Sequence, residues 1–257
     1  MALGALLSQN VRIDLSYKGT SFRGFAENNG VRTVAGVVRS ALEQVLGGSI
    51  PLNVAGRTDA GVHALRQVVS FRTANNKLDP SKLKRSLNRL CAPDISVQNV
   101  SLVPESFDAR FSAIRRSYRY TINNSLVSDP LKQDLEWHVR QTLNVEAMNA
   151  AAKKFEGDHD FTSFCRRRKD KPDATMNRSV YEANWRKAEE NRLSFSISAA
   201  AFCHQMVRSI VGFCVAVGAG DRAPEDVTTT LEAKDRSIAT LIAPSKGLTL
   251  VEVSYAL

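Results

Sequence analysis

The densest concentration of reactive groups in the chain is Gly56-Arg57-Thr58-Asp59-Ala60-Gly61-Val62-His63. A guanidinium and a carboxylate sit between two glycines, whose backbone freedom permits a sharp turn and a close approach to a ligand. An ionised carboxylate held at the end of a strand is suited to nucleophilic attack. The same residues also suit a purely structural turn, in which Asp59 accepts hydrogen bonds from nearby backbone N–H groups. A second group lies in residues 201–212, where His204, Arg208 and Gly212 fall at i, i+4 and i+8 of an otherwise apolar helix. Burying Arg208 among Met206, Val207, Ile210, Val211, Phe213, Cys214 and Val217 is costly unless it meets an anion. That anion is either an internal carboxylate or a ligand. Asp59 is one candidate, and a guanidinium beside it would hold the carboxylate ionised.

A third group is Arg115-Arg116-Ser117-Tyr118-Arg119-Tyr120. On a strand, Tyr118, Tyr120 and Ile122 share one face and Arg119 and Thr121 the other. Both tyrosines fit core packing, and an aromatic face among arginines equally fits stacking on a flipped base. Lys82, Arg85 and Arg89 share one face of a candidate helix, opposite its leucines. Arg166-Arg167-Arg168-Lys169 follows Phe161-Thr162-Ser163-Phe164 as a basic loop. Each basic group alone reads as solvated surface, and together they read as a track for nucleic-acid phosphates.

The elements that must carry these groups follow from hydrophobic periodicity. Strands are predicted over residues 11–17, 52–55, 65–72, 95–102, 116–122, 181–186, 192–198 and 248–255. A helix capped by Thr33 carries Val34, Val37, Val38, Ala41, Leu42, Val45 and Leu46 and stops at Gly47-Gly48. Asp79-Pro80 opens another, with Leu83, Leu87 and Leu90 expected inward. Further helices are expected over residues 145–155, 202–217 and 224–233. Strands and helices in two similar groups give an α+β chain of two related α/β halves with antiparallel sheets. The join is expected in the polar stretch 123–136, dividing the chain into residues 1–125, with the Asp loop, and 126–257, with the Arg helix.

Composition narrows the function. The 257 residues carry 35 Lys and Arg against 26 Asp and Glu, a formal charge of +9, which favours a polyanionic partner such as nucleic acid. A 43% apolar content is that of a globular chain with a core. The longest mainly apolar stretch, residues 210–220, is shorter than the roughly 18 residues a spanning helix needs. Residues 1–7 are apolar, yet no basic segment precedes them, so no secretory signal is expected. Cys91, Cys165, Cys203 and Cys214 show no CxxC spacing and read as reduced, unpaired cytosolic residues. Cys203 and His204 are adjacent and would diverge on a helix, so they do not form a metal pair. There is no P-loop, no HExxH and no ordered Ser-His-Asp set, and Gly218-Ala219-Gly220 lacks the third glycine of a dinucleotide fingerprint.

Taken in order, these segments resemble the tRNA pseudouridine synthase A family. Residues 56–63, continued by Gln67-Val68, are similar to its catalytic loop. Arg110-Phe111-Ser112-Ala113, leading to Tyr118-Arg119-Tyr120, is similar to its tyrosine strand. Gly157-Asp158-His159-Asp160-Phe161-Thr162-Ser163-Phe164 resembles a third block, residues 202–212 the arginine helix, and Ala243-Pro244 to Gly247-Leu248-Thr249-Leu250 the last block. The resemblance implies the pseudouridine synthase fold, with its two halves meeting around a central basic cleft. It implies Asp59 as nucleophile, with Arg208 pairing with it. Tyr118 would stack on the target base and assist proton movement, and Arg57 would bind RNA and open the base site. Leu248 would line the pocket. Lys82, Arg85 and Arg89 add substrate-binding cations. The expected substrate is tRNA, modified in the anticodon stem-loop (tRNA positions 38–40), by a cytoplasmic homodimer that needs no cofactor, no metal and no membrane. The family's Gly-Trp-Gln after residue 23 is Gly24-Phe25-Ala26 here, and its Thr-Val-Gln is Thr33-Val34-Ala35. Two rival activities remain: a tRNA-binding module without catalysis, and an N-glycosidase that releases free uracil.

Overall fold

The computed structural model describes residues 8–167, 172–188, 191–239 and 241–256. The expected absence of a signal at residues 1–7, and the basic positions Arg168 and Lys169, lie outside them. The chain divides into two compact units, residues 1–114 with 250–257, and residues 115–249.

In the first unit, β1 (Gln9–Tyr17) runs antiparallel to β3 (His63–Thr73) on one side and β4 (Ile95–Val103) on the other, with Ile13 opposite both Val69 and Val100. Val11, Ile13, Leu15 and Tyr17 alternate along β1 and are all buried. This period of two drives the sheet face into the core. The short β2 (Asn53–Val54) borders β3, so only two of the four residues expected in that strand pair. The helices are α1 (Val34–Leu46) and α2 (Pro80–Cys91). Thr33 accepts from the Gly36 N–H at 3.2 Å, and Asp79 accepts from Ser81 and Lys82 at 2.9 and 3.1 Å, as their residue types predict. On α2 the buried row is Leu83, Leu87 and Cys91, whereas Leu90 is 37% exposed. Residue 90 shares their face by helical spacing, yet in the last turn, one residue before the helix ends at Cys91, its side chain stays partly in solvent, which corrects the expected inward Leu90.

In the second unit the strand order is β5 (Ala113–Asn123), β9 (Arg192–Ala199), β8 (Asn177–Lys187), β7 (Gly157–Asp160). Two strands here had no apolar pattern to announce them. The two-residue β6 (Trp137–His138) runs parallel to the end of β5, and β7 reads Gly-Asp-His-Asp and is held by backbone pairing to β8. Three helices complete the unit: α3 (Val145–Lys153), α4 (Met206–Ala219) and α5 (Asp226–Ala233). Phe155, Phe161, Phe164 and Phe213 form its aromatic core, with Phe155 and Phe164 edge to face at 4.9 Å. The polar stretch after β5 is clamped by Arg192, which donates to Glu136 at 2.7 Å and to Asp129 at 2.9 Å.

Two expectations are corrected here. Helix α4 starts at Met206, not Phe202, because Gln205 is left-handed at φ 65° and breaks helical continuity. His204 therefore lies off the helix, outside the stripe with Arg208 and Gly212. Cys165 and Cys203 are paired as a disulfide with Cα atoms 5.7 Å apart, so these two are not the unpaired residues their spacing suggests. Their 38-residue separation carries no local signal, and Cys91 and Cys214 remain free and buried.

Candidate functional site

The Asp59 loop leaves β2 at Ala55 and enters β3 at His63. Beneath it lies a buried polar cradle. The Tyr17 and Thr58 hydroxyls share a hydrogen bond of 2.7 Å, and Gln67 Nε2 donates to the Gly56 carbonyl at 2.8 Å and to Tyr17 Oη at 3.3 Å. Gln67, Tyr17 and Thr58 are all buried, and a satisfied network of this kind rigidifies what it holds. The 19–25 segment braces the other side. Phe25 N–H donates to the Thr58 carbonyl at 3.0 Å, and Gly19 N–H donates to His63 Nδ1 at 2.9 Å. Gly19 is obligatory, since a Cβ there would lie 2.0 Å from the Val62 carbonyl oxygen. Burial pushes the Tyr17 phenol up to about 12, partly offset by its bonds to Thr58 and Gln67, so the phenol stays protonated at neutral pH. Asp59 rises from this base half-buried, beside the exposed Arg57.

Tyr17 and Gln67 are positioning residues that the spacing of reactive groups does not reveal. Their signal is a polar side chain at an inward position of an apolar strand, which demands a buried partner.

The second unit brings four other segments together. Tyr118 and Tyr120 both face inward from β5, as the strand pattern predicts. Tyr118 packs edge to face on Phe202 at 5.2 Å. Tyr120 is fully buried and donates to the Pro244 carbonyl at 2.7 Å. Burial pushes its phenol strongly up, against the opposing pull of the Arg208 cation. Arg208 Nε donates to the Ala243 carbonyl at 2.7 Å, and the Ala243 N–H returns a bond to the Arg208 carbonyl at 3.1 Å. Gly212 makes this approach feasible, because a Cβ there would sit 2.1 Å from the Leu241 carbonyl oxygen. Gly247 does the same against the Tyr120 ring, with a Cβ 2.6 Å from Cζ, and it delivers the buried Leu248 directly after it. Arg208, Tyr120 and the 243–248 segment with Leu248 thus belong to one packed neighbourhood, held by glycines at the two closest approaches, while the ring contact of Tyr118 is with Phe202.

Among the remaining cations, Lys82, Arg85 and Arg89 lie exposed along α2, as expected. Lys82 stands 3.9 Å from Asp79, a solvated pair of little energetic weight. Arg167 folds back on its own loop, donating to the Ala174 carbonyl at 3.2 Å and to Pro172. Among the described residues, no group of three or more His, Cys, Asp or Glu is placed to hold a metal, and no helix is long and apolar enough to cross a membrane.

Comparison with known proteins gives a consistent result. A family model described as tRNA pseudouridine synthase matches residues 15–112 and 151–256. A relative from Leifsonia xyli subsp. xyli named tRNA pseudouridine synthase A is 39% identical over 95% of this chain and 91% of its own length. Relatives of the same name from Corynebacterium glutamicum and Geobacillus sp. are 40% and 38% identical, over 95% and 97% of this chain and 89% and 99% of theirs. Among solved structures, an H/ACA RNP bound to a substrate RNA covers 81% of this chain and 44% of its own, at 13% identity and TM-score 0.40.

Proposed function

The chain belongs to the tRNA pseudouridine synthase family and isomerises uridine to pseudouridine in tRNA, and from that premise we propose that Asp59 is its nucleophile, acting on a uridine of the anticodon stem-loop. The observation that carries the assignment is the buried Tyr17–Thr58–Gln67 cradle, which holds rigid a loop whose one carboxylate is left half-buried at the rim.

The reaction breaks the bond from N1 of the base to C1′ of the ribose and joins C1′ to C5. The C5 proton leaves and N1 takes one up, so the atoms balance and no redox partner or added group is required. An ionised Asp59 serves the step by attacking or by stabilising the sugar cation. A base in a stem or stacked loop must first be flipped out, at about a few kcal/mol. Arg57 assists that opening. Tyr118 stacks on the extruded base and moves the C5 proton, its ring oriented by Phe202. Leu248 walls the pocket. Arg208, anchored through Nε on the Ala243 carbonyl, is the cation assigned to hold Asp59 ionised. Lys82, Arg85 and Arg89, with their exposed α2 face, offset the cost of flipping by binding phosphate. We assign the protein to the cytoplasm and to a homodimeric state, as the family resemblance implies.

The test is to incubate tRNA lacking pseudouridine with the pure protein and map the product. Wild type is expected to form pseudouridine in the anticodon arm without releasing uracil, and Asp59→Ala to lose at least about a thousandfold in rate. Binding without product would establish the non-catalytic alternative, and free uracil the glycosidase. Full activity in Asp59→Ala would remove the nucleophile assignment.

A further inference from the structure

Three segments of the second unit converge on the turn that precedes α4. The segment of residues 165–167 is tied to residues 203–204 by the Cys165–Cys203 disulfide and by the Arg166 N–H donating to the His204 carbonyl at 2.9 Å. The turn after α5 is tied to the same place by Ser163, whose hydroxyl donates to the Thr230 carbonyl at 2.6 Å and accepts from the Asp235 N–H at 3.0 Å. Arg236 then reaches Gln205, donating from Nη2 to Oε1 at 2.7 Å. Gln205 holds the left-handed backbone that sets the start of the helix, so its side chain is fixed at that corner.

The charge balance at this corner is incomplete. Arg236 Nη1 is buried and has no hydrogen-bond partner. Burial lowers the Arg236 pKa first, and the neighbouring Arg166 cation lowers it further. The carboxylate next in sequence, Asp235, is turned away onto Ser237, accepting from its N–H and its hydroxyl at 2.8 Å each. Among the described residues neither Arg166 nor Arg236 has a carboxylate partner. Two like charges beside a buried, unsatisfied N–H are unfavourable. A tetrahedral oxyanion that accepts from both guanidiniums relieves the repulsion and satisfies the orphaned donor. The N-terminal end of α4 adds a favourable field for an anion. Arg208 lies one turn further along the helix, roughly 4.5 Å of rise from Gln205.

We infer that Arg166, Arg236 and Gln205 form a phosphate-binding corner that grips a backbone phosphodiester of the substrate RNA next to the nucleotide being modified. Arg236, half-buried with its Nη1 fully enclosed, is the anchor, positioned by Gln205, and the exposed Arg166 closes the site from the solvent side. Occupancy of this corner registers the RNA strand relative to Arg208 and Tyr118, so it acts on substrate positioning and not on the chemical step. The assignment rests on the reading of the protein as a tRNA-modifying enzyme.

The test measures tRNA affinity across a salt series for wild type, Arg166→Gln, Arg236→Gln and Arg236→Lys, with steady-state pseudouridine formation beside it. Each glutamine variant is expected to weaken tRNA binding roughly five- to tenfold and to flatten the slope of log K against log salt by about one. KM should rise with kcat within about twofold, and Arg236→Lys should recover part of the loss because it restores charge without the fork. Unchanged affinity and slope in Arg166→Gln overturn the proposal. That variant is decisive even if Arg236→Gln fails to fold, because Arg166 is exposed. Inorganic phosphate, titrated against thermal stability, separates the two sources of the oxyanion. If it stabilises wild type but tRNA affinity is indifferent to both arginines, the corner serves free phosphate and the RNA assignment fails. Weakened tRNA binding in the variants, with a wild type that forms no pseudouridine, keeps the corner and removes the catalytic reading instead.

Discussion

At the scale of single residues, the Asp59 loop depends on a phenol buried beneath it. Tyr17 is buried, shares its proton with Thr58 and accepts from Gln67. Because burial pushes its pKa up to about 12, from an ordinary value near 10, ionisation favours the unfolded chain between those limits. The unfolded state then holds fewer protons than the folded state, so stability falls as pH rises from about 10 to about 12. Tyr17→Phe is expected to lack this alkaline component, worth at most about 3 kcal/mol. Denaturant unfolding of both proteins at pH about 8 and about 11 measures it. At pH about 8 the variant should be less stable by about 1 kcal/mol or more, through the lost Thr58 bond and a partly unsatisfied Gln67. An equal alkaline loss in both proteins would show that Tyr17 is not the titrating group. The Asp59 loop could be singled out as a candidate site from residue type and spacing alone, because a carboxylate bracketed by glycines is a local pattern. The cradle could not, since Tyr17 and Gln67 are 50 residues apart and each looks like an ordinary strand residue.

At the scale of elements, periodicity located most helices and strands and failed where backbone conformation broke it. Helix α2 shows both outcomes. Its caps and its exposed cations are where residue type puts them, yet its buried row ends on Cys91 instead of Leu90. Leu87→Ala is therefore expected to cost about 2–5 kcal/mol, and Leu90→Ala less than about 1 kcal/mol. Chemical denaturation of the two variants distinguishes the faces, and equal losses would restore the inward Leu90. On α4 the apolar run extends upstream of the true start, so no count of hydrophobic residues finds the break at Gln205. A left-handed non-glycine residue is decided by what surrounds it, here the Arg236 bond to its side chain. Strand β7 escaped notice for the converse reason, because an edge strand can be held by backbone bonds alone, whatever its side chains.

At the scale of the molecule, a charge of +9 is an argument about association with a polyanion, not about fold. If α2 is a phosphate-binding face, replacing Lys82, Arg85 and Arg89 together by Gln should flatten the salt dependence of tRNA binding by about two to three slope units. Folding should be nearly unaffected, because all three side chains are exposed. A slope equal to that of wild type would place the RNA elsewhere. The Arg166–Arg236 corner predicts an independent and additive change, which makes the combined variant a test of whether one RNA engages both.

From local pattern alone the sequence determines the α+β class, the caps of α1 and α2, the inward face of Tyr118 and Tyr120, and the loop that carries Asp59. These depend on spacing of a few residues, which the periods of helix and strand convert directly into burial. The tertiary structure alone decided that Arg208 meets Ala243, that Tyr120 meets Pro244, and that Cys165 meets Cys203, across separations of 35, 124 and 38 residues. Such meetings require a glycine at the closest approach or a strained corner like Gln205, and the need for either arises only when the second segment is in place.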